Sequence, residues 1–109
     1  MSKLIKDNFP FIQLLLETKS KAQREALFQT ITREQVKSVI EITYNIINLN
    51  VPLSKNERRK LVRHIDLFKA ITNKKKSLKS RTVLIRSNQA NTLMVIKAAF
   101  PSLQKIISK

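Results

Sequence analysis

The sequence has no cysteine, no glycine and no tryptophan. Without cysteine there are no disulfides, no thiolate metal sites and no thiol nucleophile, and usage says nothing about redox compartment. Average composition would supply about 7% glycine. Its absence excludes every motif built on a phosphate-cradling or strained glycine turn, so there is no Walker loop, dinucleotide fingerprint or nucleophile elbow. Acidic side chains are also scarce, 7 against 22 Lys and Arg, which leaves a formal charge of +15. No run of 18 or more apolar residues exists, and Met1-Ser2-Lys3-Leu4-Ile5-Lys6 lacks the apolar stretch of a signal peptide. A soluble, non-secreted protein is the expectation.

What is present suits one modest domain: 109 residues, 42% of them apolar. The charge is uneven along the chain. All 7 acidic residues lie at or before Asp66, whereas the charged side chains from Leu67 to Lys109 are all basic. Such asymmetry points to a polyanionic partner, either nucleic acid or an anionic membrane.

Helix-start signals recur at short intervals. Ser20-x-x-Gln23, Thr32-x-x-Gln35 and Ser54-x-x-Glu57 have the form of capping boxes, Asn8 with Pro10 can open an earlier helix, and Ser77 can cap a later one. Apolar periodicity agrees: Val36, Val39, Ile40, Thr43, Ile46 and Ile47 form one stripe, and Leu61, Ile65, Phe68 and Thr72 another. The β-branched content of the first stripe also suits a strand, but the three-to-four spacing and the capping box decide for a helix. The pattern predicts helices near 8–18, 20–31, 32–49, 54–73, 77–87 and 89–99, with a further turn after Pro101. Residues 1–7 are read as a flexible N-terminus. Short connections then make a compact all-α bundle of about five to six short helices, a single domain over 1–109.

The segment 54–73 carries the clearest functional pattern. At about 100° per residue, Lys55, Arg59 and Arg63 stack at i, i+4, i+8, nearly opposite Leu61, Ile65 and Phe68. Lys60 widens the basic side and Arg58 flanks the apolar one. Like charges at this spacing destabilise an isolated helix by a few tenths of a kcal/mol per pair. A polyanion offsets that, because each neutralised phosphate releases condensed counterions. A solvated face serving solubility is the plainer reading of one stripe. Lys74, Lys75, Lys76, Lys79, Arg81 and Arg86 follow closely, and only Glu57 and Asp66 oppose them within 55–86. As one footprint this favours nucleic acid. Lys74–Lys76 alone also suits a flexible loop or an import signal.

With no Trp, and Phe9, Phe11, Phe28, Phe68 and Phe100 mostly on apolar faces, stacking platforms for single strands are not indicated. Tyr44 reads as a rim residue with a solvated hydroxyl. The expected contacts are therefore to phosphates, with little sequence specificity. His64, the sole histidine, reads as partly buried and structural, and the scattered carboxylates indicate neither an acid/base pair nor a metal cluster. No catalytic residue, cofactor or metal is expected. Between Ser87 and Gln104 the one charge is Lys97, amid Leu93, Met94, Val95, Ile96, Ala98, Ala99, Phe100 and Leu103. Such a segment is a central bundle helix or, over 89–109, a surface for association with a second copy or a capsid protein; a membrane-interface helix ranks last.

The runs Leu14-Leu15-Leu16-Glu17-Thr18-Lys19-Ser20, Gln23-Arg24-Glu25-Ala26-Leu27, Ile31-Thr32-Arg33-Glu34-Gln35, Glu41-Ile42-Thr43-Tyr44-Asn45-Ile46 and Val51-Pro52-Leu53-Ser54 resemble a family of small basic proteins encoded by Maverick/Polinton-type DNA transposons and the related adintoviruses. The likeness covers roughly residues 12 to 86, including Lys60-Leu61 and Ser77-Leu78-Lys79-Ser80-Arg81. Members of that family often carry Gly where Asn48 to Asn50 stand and end in a Gly-rich apolar tail, in place of which this chain has Asn88-Gln89-Ala90-Asn91-Thr92-Leu93-Met94. The resemblance implies a virus-like element in which a small cationic protein condenses the genome. DNA is then favoured over RNA as partner, and the location is intracellular, in the nucleus or virion core.

Overall fold

The computed structural model describes residues 2–107. It is all-helical, with eight helices among those residues: α1 (Lys3–Asp7), α2 (Phe9–Glu17), α3 (Lys21–Gln29), α4 (Arg33–Ile47), α5 (Lys55–Arg63), α6 (Ile65–Ile71), α7 (Leu78–Ser87) and α8 (Gln89–Ile107). They pack into one globule with a Cα radius of gyration of 13.0 Å.

The start signals work as side-chain chemistry. Thr32 and Ser54 form reciprocal capping boxes with Gln35 and Glu57. Ser20 accepts from the Gln23 amide without a return bond, and Ser77 accepts from that of Ser80 at 3.0 Å. Asn8 behaves differently from expectation. Its Nδ2 donates backward to the Leu4 carbonyl at 2.8 Å, so it closes α1 with its side chain and leaves the start of α2 to Pro10.

α4 is the central element, packed against α1, α6 and α8. It buries Val36, Val39, Ile42 and Ile46 together with Ser38 and Thr43. The two hydroxyls donate to the carbonyls of Gln35 and Val39 within the same helix, so burial leaves neither unsatisfied. α8 lays Thr92, Val95, Ile96, Ala99 and Leu103 into the core at helical spacing, which matches the central bundle element among the three readings offered by sequence. Leu93, Met94 and Phe100 are only half-buried, and the Phe100 ring stacks on Phe9 at 5.6 Å between centroids.

Three boundaries correct the sequence reading. Lys3–Asp7 form α1 in place of a flexible N-terminus, because Ile5 is 2% exposed and anchors that turn on the core. The segment 54–73 is two helices, not one. His64 leaves helical geometry at φ −121°, ψ 25°, its amide bonding to Leu61 and its carbonyl accepting from Phe68. That break lets α6 bury Phe68 and Ile71 completely while α5 buries Leu61 alone. These two changes turn the five to six expected helices into eight. Last, α8 does not stop before Pro101 but runs through it to Ile107. Proline withholds one hydrogen bond there, and the full burial of Leu103 one turn beyond Ala99 carries the helix across.

The connection from α4 to α5 is closed by the two bonds of a Schellman motif: the Asn50 amide donates to Asn45 at 2.9 Å and that of Leu49 to Ile46 at 3.1 Å. The residue in the left-handed position is Leu49, at φ 56°, where glycine is the usual occupant. Val51, 2% exposed, pins the segment that follows.

Candidate nucleic-acid interface

α5 is the most superficial helix of its length. All of its nine residues except Glu57 and Leu61 are exposed. Its capping box fixes Glu57 at the start of the helix, with Oε1 accepting from the Ser54 amide at 2.8 Å. The acid that could have neutralised the row is thus tied to backbone. Leu61 points inward, and Arg59, two residues away and so about 200° around the axis, lies on the far side. Lys55 and Arg63 flank it one turn either way. Lys60 and Arg63 also sit in the last turn, where cations favour the helix dipole.

The second group lies between α6 and α7. Lys74, Lys75 and Lys76 are all exposed, on a turn held by Asn73: Oδ1 accepts from the Lys75 amide at 3.0 Å and the carbonyl from the Lys76 amide at 3.1 Å. The tri-lysine run is therefore a built turn. Lys79 follows, exposed, in the first turn of α7.

The two arginines of α7 differ from the lysines. Arg81 is half-buried, and its Nε is enclosed without a hydrogen-bond partner. Arg86 is half-buried too, but its Nε and Nη2 donate to the carbonyls of Phe28 and Gln29, both at 3.1 Å. Those are carbonyls of the last turn of α3, beyond the reach of the helix's own i+4 amides, although that of Phe28 also accepts from the Ile31 amide at 3.4 Å. Of the ten sequence-predicted site residues, Arg86 is the one engaged in holding the fold together.

α7 also draws in cations that sequence reasoning missed. Arg81 and Lys74 share a cavity with Lys37 and Tyr44 of α4, while Lys79 and Arg86 share a cleft with Arg33. Arg33 and Lys37 are one turn apart at the start of α4. Their spacing was visible, but nothing local links them to residues 37 or more positions away. Val62 was missed as well. It is 67% exposed on the outward side of α5 beside Arg58 and Arg59, an apolar contact within the basic face.

Among the described residues the ion pairs are Lys21 with Glu25 at 4.0 Å and Lys37 with Glu34 at 3.5 Å. None of the ten predicted site residues takes part in one. Tyr44 is 49% exposed, and His64 is half-buried at the α5–α6 junction. No described helix is long and apolar enough to cross a membrane. Comparison with protein-family models, with curated proteins and with solved structures finds no match.

Proposed function

We propose that the protein is a non-enzymatic, sequence-independent binder of double-stranded DNA that contacts phosphates. Lys55, Arg59, Lys60 and Arg63 supply one contact row, and Lys74, Lys75, Lys76 and Lys79 a second, with Arg81 recessed beside it. The observation that supports this best is the outward row of α5, exposed and without a carboxylate partner among the described residues. A row of like charges weakens its own helix, and counterion release on a polyanion is the physical term that offsets it. Arg86 is left out, because its donors face α3 carbonyls. With the resemblance to transposon- and adintovirus-encoded basic proteins, the reading extends to compaction of a viral or transposon genome.

A gel shift on unrelated DNA and RNA duplexes across a salt series tests the proposal, with Arg59→Glu/Arg63→Glu beside wild type. About six phosphate contacts give a log–log salt slope near −5 on DNA, at about 0.9 per phosphate. The double variant should bind more weakly on every sequence. A flat salt response between about 50 and 200 mM, the range over which such contacts lose affinity steeply, would refute phosphate binding. Tighter binding to RNA would move the proposal to that polymer.

A further inference from the structure

Four features meet at the cavity of about 280 Å³ between α4, α6 and α7. Lys37 comes from α4, Lys74 from the Asn73 turn and Arg81 from α7. Tyr44, two helical turns beyond Lys37 on α4, brings the one phenol to the lining. Glu41 is the one acid in the lining, and its Oε2 accepts from the Ser2 hydroxyl at 2.5 Å, which holds that carboxylate toward the start of α1. Arg81 has no carboxylate within ion-pair distance among the described residues, and its Nε is buried with no acceptor. Arg81 Nε itself is covered by protein atoms and Lys37 is already paired with Glu34 at 3.5 Å, so Arg81 and Lys74 are the two cations of this cavity without a carboxylate partner among the described residues. The neighbouring cleft with Arg33, Lys79 and Arg86 differs in that Arg86 already has its acceptors.

We propose that this cavity is a seat for a single phosphate group, with the Arg81 guanidinium as the central charge, Lys74 and Lys37 as flanking charges and the Tyr44 hydroxyl as a further donor. A phosphate supplies the counter-charge that Arg81 and Lys74 lack among the described residues, and the planar guanidinium fork suits its oxygens. The seat deepens the nucleic-acid reading and rests on it for one point only, that the phosphate is a backbone diester. A free phosphate monoester has the same chemistry and is separated from it by the test.

The experiment is an NMR titration of the ¹⁵N-labelled protein with inorganic phosphate and, separately, with a dinucleoside monophosphate. It follows the Arg81 Nε–H signal and the backbone amides from Thr72 to Lys76. Saturable shifts confined to this region are expected. Arg81→Gln should weaken binding at least about tenfold, the scale of one charge-assisted hydrogen bond, and Lys19→Gln, on the exposed link before α3, should change nothing. Lys74→Gln and Tyr44→Phe alter exposed groups, so they decide the matter even where Arg81→Gln unfolds the chain. If both leave phosphate binding unchanged, or if the shifts stay linear in phosphate, the seat is refuted. The DNA arm is independent. A seat that takes a backbone phosphate loses about 0.9 of salt slope in Arg81→Gln. An unchanged slope with inorganic phosphate binding lost overturns the duplex as occupant and assigns the seat to monoesters, while a wild-type protein that binds phosphate but no DNA overturns the nucleic-acid reading alone.

Discussion

Arg86 is fastened to Phe28 across 58 positions of sequence, its Nε donating to the Phe28 carbonyl at 3.1 Å while Nη2 reaches the next carbonyl, that of Gln29. One side chain of α7 thereby closes the exposed end of α3. Within an otherwise uniform basic stretch, the residue with two backbone acceptors is a structural clamp.

Arg86→Gln should therefore lower unfolding free energy by about 1.5 to 3 kcal/mol, the range for hydrogen bonds to a charged group. The salt slope of DNA binding should not change. Urea unfolding and a salt-series gel shift on the same variant check both halves.

Arg59 should behave in the opposite way. Arg59→Gln removes like-charge repulsion toward Lys55 and Arg63, so the protein should become more stable by a few tenths of a kcal/mol. DNA binding should weaken on all sequences, with a slope shallower by about 0.9. A thermal melt beside the binding assay reads the two effects, and their opposite signs separate a functional charge from a solubilising one.

Leu49→Gly should stabilise the chain. At φ 56° a leucine side chain crowds the neighbouring carbonyl, whereas glycine tolerates that region freely. Leu49 is 56% exposed, so little burial is lost. After the extra entropy that glycine loses on folding, the net gain is about 0.5 to 1 kcal/mol, measurable as a higher urea midpoint at constant slope.

α8 offers a paired prediction. Leu103→Ala should destabilise by about 2 to 5 kcal/mol, as for other fully buried leucines. Pro101→Ala should raise stability by at least about 1 kcal/mol, because it restores an amide donor at an exposed position inside the helix. Deleting residues 89–109 would strip the core of Val95, Ile96, Ala99 and Leu103, so that truncation reports on folding and not on association.

The local devices were the legible part of this fold. A cap such as Ser54 with Glu57 spans four residues, and the amphipathic stripe of α4 spans fifteen, so both are written in neighbouring positions. The basic row of α5 was legible for the same reason, since Lys55, Arg59 and Arg63 share one helix. The break at His64 was not. Leu61, Ile65 and Phe68 continue a helical repeat without interruption, and only the packing of α6 against α4 and α7 shows where the axis must turn. Proline 101 misled in the other direction, because its local penalty is outweighed by burial of Leu103.

By itself the sequence determined that the chain is helical and cationic, and that the cations of α5 lie on one side of their helix. Tertiary structure alone decided which of the other cations are free. Arg81 and Arg86 are five residues apart on one helix, yet Arg86 meets two α3 carbonyls whereas the Nε of Arg81 is covered by protein with no acceptor. Helical periodicity fixes the direction in which a side chain leaves its own axis, but the atoms it meets come from segments tens of residues away, brought there by burial of a shared core.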